Sequence, residues 1–229
     1  MIEIGVMGGT FNPIHGRQLM VAQCALDQFG LAKVIFVPNG TPPHKQNDVL
    51  DRQSRFELVV AATKDNPLFE ASRIEIDRPG VTWTIDTLKQ LQAELGPDVR
   101  LNFIIGEDNI KSFQNYDRRL EFFQLCRLLV SPRDFVRPGL VDEWRAALAD
   151  ARIEMIDCPA DSRSSTLIRQ WIRAGRSVRY LVSPAVYELL VEKQYYVDNP
   201  APRPEKLPRL LHWIGKTISR IRARNKPAA

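Results

Sequence analysis

The chain has 229 residues, of which 44% are hydrophobic and 26% charged, and this length is ample for one hydrophobic core. No run reaches the ~18 apolar residues of a membrane span, and no signal-peptide pattern opens the sequence. Cys24, Cys126 and Cys158 are too few and too dispersed for a disulfide framework or a zinc site, so we expect a cytoplasmic protein.

The formal net charge of +5 is concentrated near the C-terminus. Residues 203–229 contain eight Lys or Arg and one acidic residue, a net +7, which leaves −2 for residues 1–202. The positive balance therefore gives no reason to expect nucleic-acid binding by the rest of the chain.

Apolar strand candidates alternate with helical patterns along most of the sequence. Strands are predicted at 2–7, 34–37, 101–105 and 128–130, and helices near 17–29, 51–64, 84–95 and 117–126. An edge strand at 153–157 and helices from 164 and over 183–193 follow. The pattern predicts an α/β fold, a Rossmann-like doubly wound parallel sheet, as one domain over residues 1–197.

The first predicted strand runs into a glycine-containing loop, Gly8-Gly9-Thr10-Phe11, that leads through His15 to a helix start. Glycines let the backbone approach a ligand closely, and a helix N-terminus offers unpaired N–H groups with a partial positive charge. The alternative is a Gly-Gly turn with no further role. We expect the chemistry at this loop, with a triphosphate as the anion.

Two segments in the middle of the chain carry polar groups at loop or helix starts. Asn39 opens a loop, stiffened by two prolines, that presents His44 and Lys45. Thr84 is a candidate N-cap of the next helix. A solvated turn and an ordinary helix cap would explain these residues equally well.

Gly106 and Asp108 follow the strand predicted at 101–105. Open α/β sheets bind ligands at the carboxyl ends of their strands, so this carboxylate is a candidate ligand contact. The alternative is an ordinary surface aspartate.

A second helix start, far downstream, strengthens the anion-binding interpretation. Ser164, Ser165 and Thr166 crowd its first turn, and Arg169 follows one turn past Ser165. An N-cap explains one hydroxyl, but three hydroxyls and an arginine fork can share an anion. Two such helix starts predict one shared polyphosphate.

Together these motifs resemble the nucleotidylyltransferases, and among them the bacterial nicotinate-nucleotide adenylyltransferases. The resemblance spans roughly residues 1–197 through GGTFNPIH at 8–15, PPHK at 42–45, WTIDTL at 83–88, IIGED at 104–108 and SST at 164–166. Other adenylyl or cytidylyl transferases share the first and last of these motifs, so the middle three indicate the substrate.

The resemblance implies transfer of the adenylyl group of ATP to nicotinate mononucleotide, giving deamido-NAD and pyrophosphate. It implies ATP contacts at Gly8, Gly9, Thr10, Phe11, Gly106, Asp108, Ser164, Ser165 and Thr166. Arg17, which departs from the family pattern, is expected to join them as an added cation. It implies mononucleotide contacts at Asn39, His44, Lys45, Thr84 and Tyr116. Tyr116 stands where the family more often has a tryptophan that stacks on the nicotinate ring, although a tyrosine packed in the core fits the sequence equally well.

Catalysis is assigned to His15, Gln18 and Arg169. The attacking oxygen belongs to the substrate phosphate, so no protein nucleophile is needed. Mg²⁺ is expected to be held by the phosphates of ATP, and no protein metal site is predicted.

One departure from the family lies at the predicted reaction centre. The family pattern continues as His, any residue, Gly, His, whereas this chain has His15, Gly16, Arg17 and Gln18. The resemblance implies that the second imidazole binds the ATP phosphates, and losing such a donor typically costs about 2.7–4 kcal/mol. Gln18 can donate a hydrogen bond but carries no charge. Arg17 adds a cation that either replaces the histidine or blocks close approach.

The prediction is therefore an enzyme, with activity reduced by Gln18. The alternative is a catalytically weakened nucleotide-binding homologue that acts as a membrane-surface or partner-binding module. The departure at Arg17 and Gln18 and the basic C-terminal segment motivate that alternative together.

The C-terminal segment has its own pattern. A Pro-rich linker is predicted at 198–206 and a basic amphipathic helix at 207–225. Such helices lie on anionic membrane surfaces or dock in partner grooves, and packing on the preceding domain is the alternative. The segment lacks a nucleic-acid reading motif, so no nucleic-acid partner is expected and peripheral membrane association stays open.

Overall fold

Six parallel strands form one sheet in the computed structural model, which describes residues 1–40, 48–133 and 136–198. The strands are β1 Ile2–Gly9, β2 Lys33–Pro38, β3 Phe69–Ala71, β4 Val99–Gly106, β5 Cys126–Ser131 and β6 Ile153–Met155. Their order is β3-β2-β1-β4-β5-β6, and every adjacent pair is parallel. This is the doubly wound order, so the predicted fold class is confirmed.

Helices connect the strands and cover both faces of the sheet. They are α1 Gly16–Phe29, α2 Arg52–Thr63, α3 Thr84–Leu95, α4 Ile110–Gln114, α5 Arg119–Leu125, α6 Leu140–Ala147, α7 Ser165–Arg173 and α8 Pro184–Glu192. Side chains that accept a backbone N–H fix three of the starts: Asp51 for α2, Ser164 for α7 and Ser183 for α8. Gly30, in the left-handed region at φ 59°, ends α1.

Alternation along the strands divides the core into two layers. On β2, Val34 and Phe36 pack with α1, α2, α7 and α8, whereas Ile35 and Val37 pack with α3, α4, α5 and α6. Both sets are almost fully buried because a parallel sheet of this kind is covered on both faces.

The reversal of strand order positions the site. β1 pairs with β2 on one side and with β4 on the other, and the chain winds in opposite directions from this point. Ligands bind in the crevice that such a reversal opens at the carboxyl ends of the strands. Those ends carry Gly8 and Gly9 on β1 and Gly106 on β4.

The structure differs from the sequence predictions at one helix start and in three additional elements. Trp83 occupies the N-cap position of α3, so Thr84, predicted there, is the first helical residue. Strand β3 and helices α4 and α6 were not predicted; β3 has only three residues, two of them half-buried, and offers little pattern.

Residue contacts divide the chain into Met1–Tyr196 and Val197–Ala229. Apart from Asp198, the linker predicted at 198–206 and the helix predicted at 207–225 lie outside the described residues. Among the helices that the structure describes, none has the length and apolar character needed to cross a membrane.

Candidate active site

A cavity of about 690 Å³, here named the carboxyl-edge cavity, opens where β1 and β4 end. Both strands contribute backbone to its wall, and the start of α1 lies beside it. The predicted site residues that line it are Gly8, Gly9, Thr10, His15, Arg17, Gln18, Asn39, Thr84, Gly106, Tyr116 and Ser164. Residues up to 156 positions apart in sequence therefore meet around one space.

Other predicted site residues do not line this cavity: Phe11, Asp108, Ser165, Thr166 and Arg169. Phe11 is buried, with its ring 6.1 Å from that of Phe36. Ser165 donates its hydroxyl to the carbonyl of Pro13 at 2.9 Å. Thr166 is exposed on α7. His44 and Lys45 lie outside the described residues.

Arg169 is committed to protein partners. Its Nε donates to Asp48 and its Nη1 to the carbonyl of Asn12, both at 2.9 Å. Arg173 contacts the same carboxylate, and its hydrogen bond is the main reason why the pKa of Asp48 is lowered. This arrangement joins α7 to the loop after β1 rather than presenting a free guanidinium to the cavity.

A buried arginine holds backbone segments that line the carboxyl-edge cavity. Arg55 is 1% exposed and its guanidinium donates to the carbonyls of Leu50, Thr10, Asn39 and Gly40 at 2.6–3.1 Å. Its pKa is lowered by burial, partly opposed by acidic and phenolic neighbours. The residue fixes the backbone of two loops that line the cavity, a role with no distinctive sequence signal.

Asn12 organises the other side of the loop after β1. Its amide nitrogen donates to the carbonyl of Asp48 at 2.7 Å, and its oxygen accepts from the backbone of Leu50 at 3.1 Å. The same oxygen accepts the hydroxyl of Tyr196 at 2.7 Å. Burial raises the pKa of Tyr196, which keeps this phenol a donor. The loop that carries the motif is thus held from several directions.

His15 is the N-cap of α1 and is only 6% exposed. Its pKa is lowered to about 4, first by burial and then by the nearby charges of Arg163, Arg17 and Arg133, against the opposing charge of Asp161. The imidazole is therefore neutral at physiological pH. Its Nδ1 is buried without a hydrogen-bond partner among the described residues, so a bound group can satisfy it.

Gln18 and Arg17 hold defined positions at the start of α1. The Gln18 Oε1 accepts the backbone N–H of His15 at 3.1 Å, which caps the helix from inside. Arg17 reaches across the cavity and its Nη2 donates to the carbonyl of Pro132 at 3.1 Å, just past the end of β5. No carboxylate pairs with Arg17 in the part of the chain that the structure describes.

Two arginines that were not predicted also line the cavity. Arg163 is paired with Asp161, and Arg133 with Asp108. No Asp or Glu lines the cavity itself among residues 1–40, 48–133 and 136–198. Neither arginine belongs to a recognisable sequence motif. Their pairing with Asp161 and Asp108 is seen only in the folded chain.

An aromatic wall closes one side of the cavity. Tyr116 is half-buried, burial raises its pKa, and its ring lies 6.2 Å from those of Phe113 and Phe122. Tyr116 packs against the core and also lines the cavity, so core packing and a contact with a ligand are compatible at this position. Trp83, 49% exposed, lines the same cavity and was not predicted as a site residue.

A second cavity of about 800 Å³, the amino-edge cavity, lies at the opposite ends of the strands. It is lined by Met1, Val99, Cys126 and Ile153 near the strand starts and by four arginines, Arg100, Arg127, Arg145 and Arg152. Glu154 lines it as well, and Glu3 pairs with Arg100 and Arg127. The described residues contain no cluster of three His, Cys, Asp or Glu able to hold a metal ion.

The carboxyl-edge cavity combines a neutral buried imidazole, three arginines and the N-terminus of α1. These groups donate hydrogen bonds or carry positive charge, and they surround space large enough for a nucleotide. The arrangement suits binding of a polyphosphate and stabilisation of negative charge that develops on it.

Comparison with known proteins assigns the chain to a family. Residues 6–171 match the model of the cytidylyltransferase-like family. A probable nicotinate-nucleotide adenylyltransferase of Moorella thermoacetica is 38% identical over 198 residues, covering 85% of this chain and 91% of that one. A relative with the same name in Saccharopolyspora erythraea is 40% identical, with coverage of 85% and 89%.

The fold comparison agrees. The nicotinic acid mononucleotide adenylyltransferase of Plasmodium falciparum, complexed with NaAD, superposes with a TM-score of 0.71 at 17% identity, covering 86% of this chain and 98% of that one. The same enzyme complexed with APC gives 0.69 with the same coverage. The chain belongs to the cytidylyltransferase-like family and, within it, to the nicotinate-nucleotide adenylyltransferases.

Proposed function

We propose that the protein transfers the adenylyl group of ATP to nicotinate mononucleotide, releasing pyrophosphate and forming deamido-NAD, a step of NAD biosynthesis. The observation that carries this proposal is the carboxyl-edge cavity, in which three arginines and a buried neutral histidine meet and no carboxylate lines the wall among the described residues. Relatives that share 38–40% of their residues carry the name of this activity.

ATP is assigned to the side of the cavity formed by the β1 loop and the α1 start. Gly8, Gly9 and Thr10 bring backbone to the cavity, and Arg17 brings charge. Gly106 and Ser164 approach from the neighbouring strand end and from the start of α7. Phe11, Asp108, Ser165 and Arg169 act from behind this wall, through the contacts that hold its loops. The ATP contact of Thr166, which is exposed on α7, stays a prediction from the sequence resemblance.

Nicotinate mononucleotide is assigned to the opposite side. Asn39 and Thr84 offer polar groups there, and Tyr116 offers a ring face. Trp83 adds a second, more exposed aromatic surface beside them. His44 and Lys45 complete this proposal from the sequence resemblance alone.

His15 supplies the neutral donor of the site. A neutral imidazole carries one N–H, and its buried Nδ1 has no hydrogen-bond partner among the described residues. In a buried position such a donor stabilises charge on the phosphates more strongly than it would in water. The protein groups thus position the two phosphates in line and neutralise charge.

Mg²⁺ is proposed to bind through the phosphates of ATP. The lining residues that the structure describes fit that arrangement, because they offer cations and neutral donors rather than carboxylate ligands. The ion would neutralise part of the charge on the triphosphate.

The test is a pyrophosphate-release assay with ATP, Mg²⁺ and either nicotinate mononucleotide or its amide. Continuous turnover with the acid, and much less with the amide, supports the proposal. Turnover with neither mononucleotide, at protein concentrations that bind ATP, contradicts it. The variant His15→Asn serves as the matched inactive control because asparagine also caps helices.

For the C-terminal segment we propose a separate role on an anionic membrane surface. The support is its charge, +7 over residues 203–229 against −2 for the rest, together with apolar residues at helical spacing over 207–225. Co-sedimentation with phosphatidylglycerol vesicles should require residues 203–229, whereas pyrophosphate release should not. Equal sedimentation of the full and shortened chains rejects the role, as does binding to a purified protein partner but not to vesicles.

A further inference from the structure

Arg163 occupies an unusual position against the first residue of α1. A Cβ atom added to Gly16 would lie 2.2 Å from the Arg163 Nη1 and 2.9 Å from its Cζ. The guanidinium therefore fills the place that any side chain at position 16 would take. Glycine at this position lets a cation approach the N-terminal end of the helix.

Asp161 holds the guanidinium there. One carboxylate oxygen accepts from the Arg163 Nε at 2.7 Å and lies 2.5 Å from its Nη2, while the other accepts the backbone N–H of Arg163 at 2.8 Å. Burial raises the pKa of Asp161, but the hydrogen bonds and charge of Arg163 outweigh that effect and lower it. These three contacts hold the Arg163 guanidinium in one position.

Positive groups outnumber negative groups around the Asp161–Arg163 pair among the described residues. The N-terminus of α1 is the positive end of a helix dipole, where a cation is disfavoured and an anion favoured. Arg17 lies on the same first turn and Arg133 lines the same cavity. Among the described residues, Asp161 and Asp108 are the two carboxylates that pair with any of these three arginines. An anion bound beside Arg163 and the helix end would offset the imbalance.

We propose that Arg163 binds the ATP phosphates at the N-terminus of α1 and supplies the positive charge that Gln18 lacks, with Asp161 as its positioning residue. The inference rests on the proposed function, since it names a phosphate-binding residue of the same cavity. Arg17 is the weaker candidate because its guanidinium is directed to the carbonyl of Pro132.

Steady-state kinetics of Arg163→Ala, with ATP varied at saturating mononucleotide, tests the proposal. Loss of a charged hydrogen bond to phosphate should lower kcat/KM for ATP roughly 10- to 100-fold. Arg163→Lys should recover part of that loss, since it keeps the charge but not the fork. Asp161→Asn should give a smaller loss than Arg163→Ala, because the guanidinium remains but is no longer held.

Arg73→Ala is the matched control. Arg73 also makes a two-point pair with an aspartate, Asp77, but on the exposed surface away from the cavity. Its removal should change kcat/KM less than twofold, as expected for a surface pair.

A double variant tests the substitution for the missing histidine. Gln18→His should raise turnover more in the Arg163→Ala background than in the unaltered protein, because only there is the charge absent. Equal gains in both backgrounds would mean that Arg163 and position 18 act independently, and the proposal would fail. Folding is monitored by near-ultraviolet circular dichroism of each variant.

Binding measurements separate this inference from the proposed function. If the unaltered protein releases no pyrophosphate, the proposed function fails, but Arg163 is still testable by calorimetry with a non-hydrolysable ATP analogue and with adenosine. Weaker binding of the analogue by Arg163→Ala, with adenosine binding unchanged, supports the inference. Unchanged analogue affinity, or unchanged kcat/KM in an active protein, overturns it.

Discussion

Two cavities flank the same sheet, and arginines line both of them. At the amino-edge cavity, Arg100 and Arg127 contact Glu3, Arg145 donates to a backbone carbonyl, and Glu154 lines the wall. At the carboxyl-edge cavity no carboxylate lines the wall in the described part of the chain, and a buried histidine lies beside the arginines. The number of arginines is therefore a poor guide to an anion site.

Helix direction explains the difference. The start of α1 lies at the carboxyl edge, as does Ser164, the N-cap of α7. The last turns of α3 and α5 contribute Gln92 and Leu125 to the amino-edge cavity, so carbonyl groups are directed there. Helix dipoles thus add positive potential at one edge and negative potential at the other.

The largest expected effect concerns the buried arginine of the carboxyl edge. Arg55→Met should lower the free energy of unfolding by about 3–5 kcal/mol, because it leaves the buried or partly buried carbonyls of Thr10, Asn39, Gly40 and Leu50 without their donor. Arg100→Met, at the amino edge, removes a partly exposed ion pair and should cost less than about 1 kcal/mol. Urea denaturation measures the loss of unfolding free energy in both variants. Similar losses would contradict the expected difference between the two edges of the sheet.

Next in size is the catalytic difference between the two cavities. His15→Asn should lower kcat by roughly 100- to 1,000-fold, the usual cost of losing a donor to developing charge. Arg127→Ala at the amino-edge cavity should leave kcat within about twofold, since it lies far from the proposed chemistry. The pyrophosphate assay compares them at saturating substrates. A comparable loss in both variants would mean that the amino-edge cavity also supports turnover.

The buried imidazole predicts a specific pH dependence of stability. The pKa of His15 is about 4 in the folded chain against 6.5 for the free side chain, so below pH 6.5 the unfolded chain binds a proton that the folded chain does not. Stability should fall by about 3 kcal/mol between pH 6.5 and 4 from this group alone, and stay level in this respect above pH 6.5.

The measurement is the difference in unfolding free energy between the unaltered protein and His15→Asn across that range. Other titrating groups affect both proteins alike, so only the histidine contributes to the difference. Parallel curves would show that His15 titrates normally and is not buried as described.

The smallest expected effect concerns position 18. Gln18→His should raise kcat by roughly three- to tenfold, because an imidazole can add charge to a site where Arg17 and Arg163 already supply some. Adding Arg17→Gly tests whether Arg17 assists or obstructs. A further rise with the glycine would identify Arg17 as an obstruction, and a fall would identify it as a working cation.

The fold class was predictable because apolar runs that form strands alternate with helical patterns along the sequence. Val34–Val37 is a continuous apolar run and Leu101–Ile105 is interrupted only by Asn102, while α2, α7 and α8 begin at capping side chains that can be recognised in sequence. Strand β3 was missed because three residues around Glu70 form no run, and α6 because it follows a loop without a capping side chain.

The site was predictable only where chemistry is local in sequence. The glycines, His15 and Ser164 belong to short motifs, and the structure brings them to one cavity. Arg169 was expected to face the phosphates, but its partner Asp48 is 121 residues away and no pattern announces the pair. Arg55 and Arg163 resemble ordinary helix and loop arginines until the folded chain surrounds them.

The hydrogen bond from Tyr196 to Asn12 spans 184 positions and ties the end of the first compact unit to the motif loop. Tyr195 makes a similar contact with Ser54 at the start of α2. During synthesis the loop therefore cannot acquire its full set of partners until nearly the whole unit has left the ribosome. Nucleotide affinity should accordingly arise late in biosynthesis, when α8 and the two tyrosines that follow it have emerged.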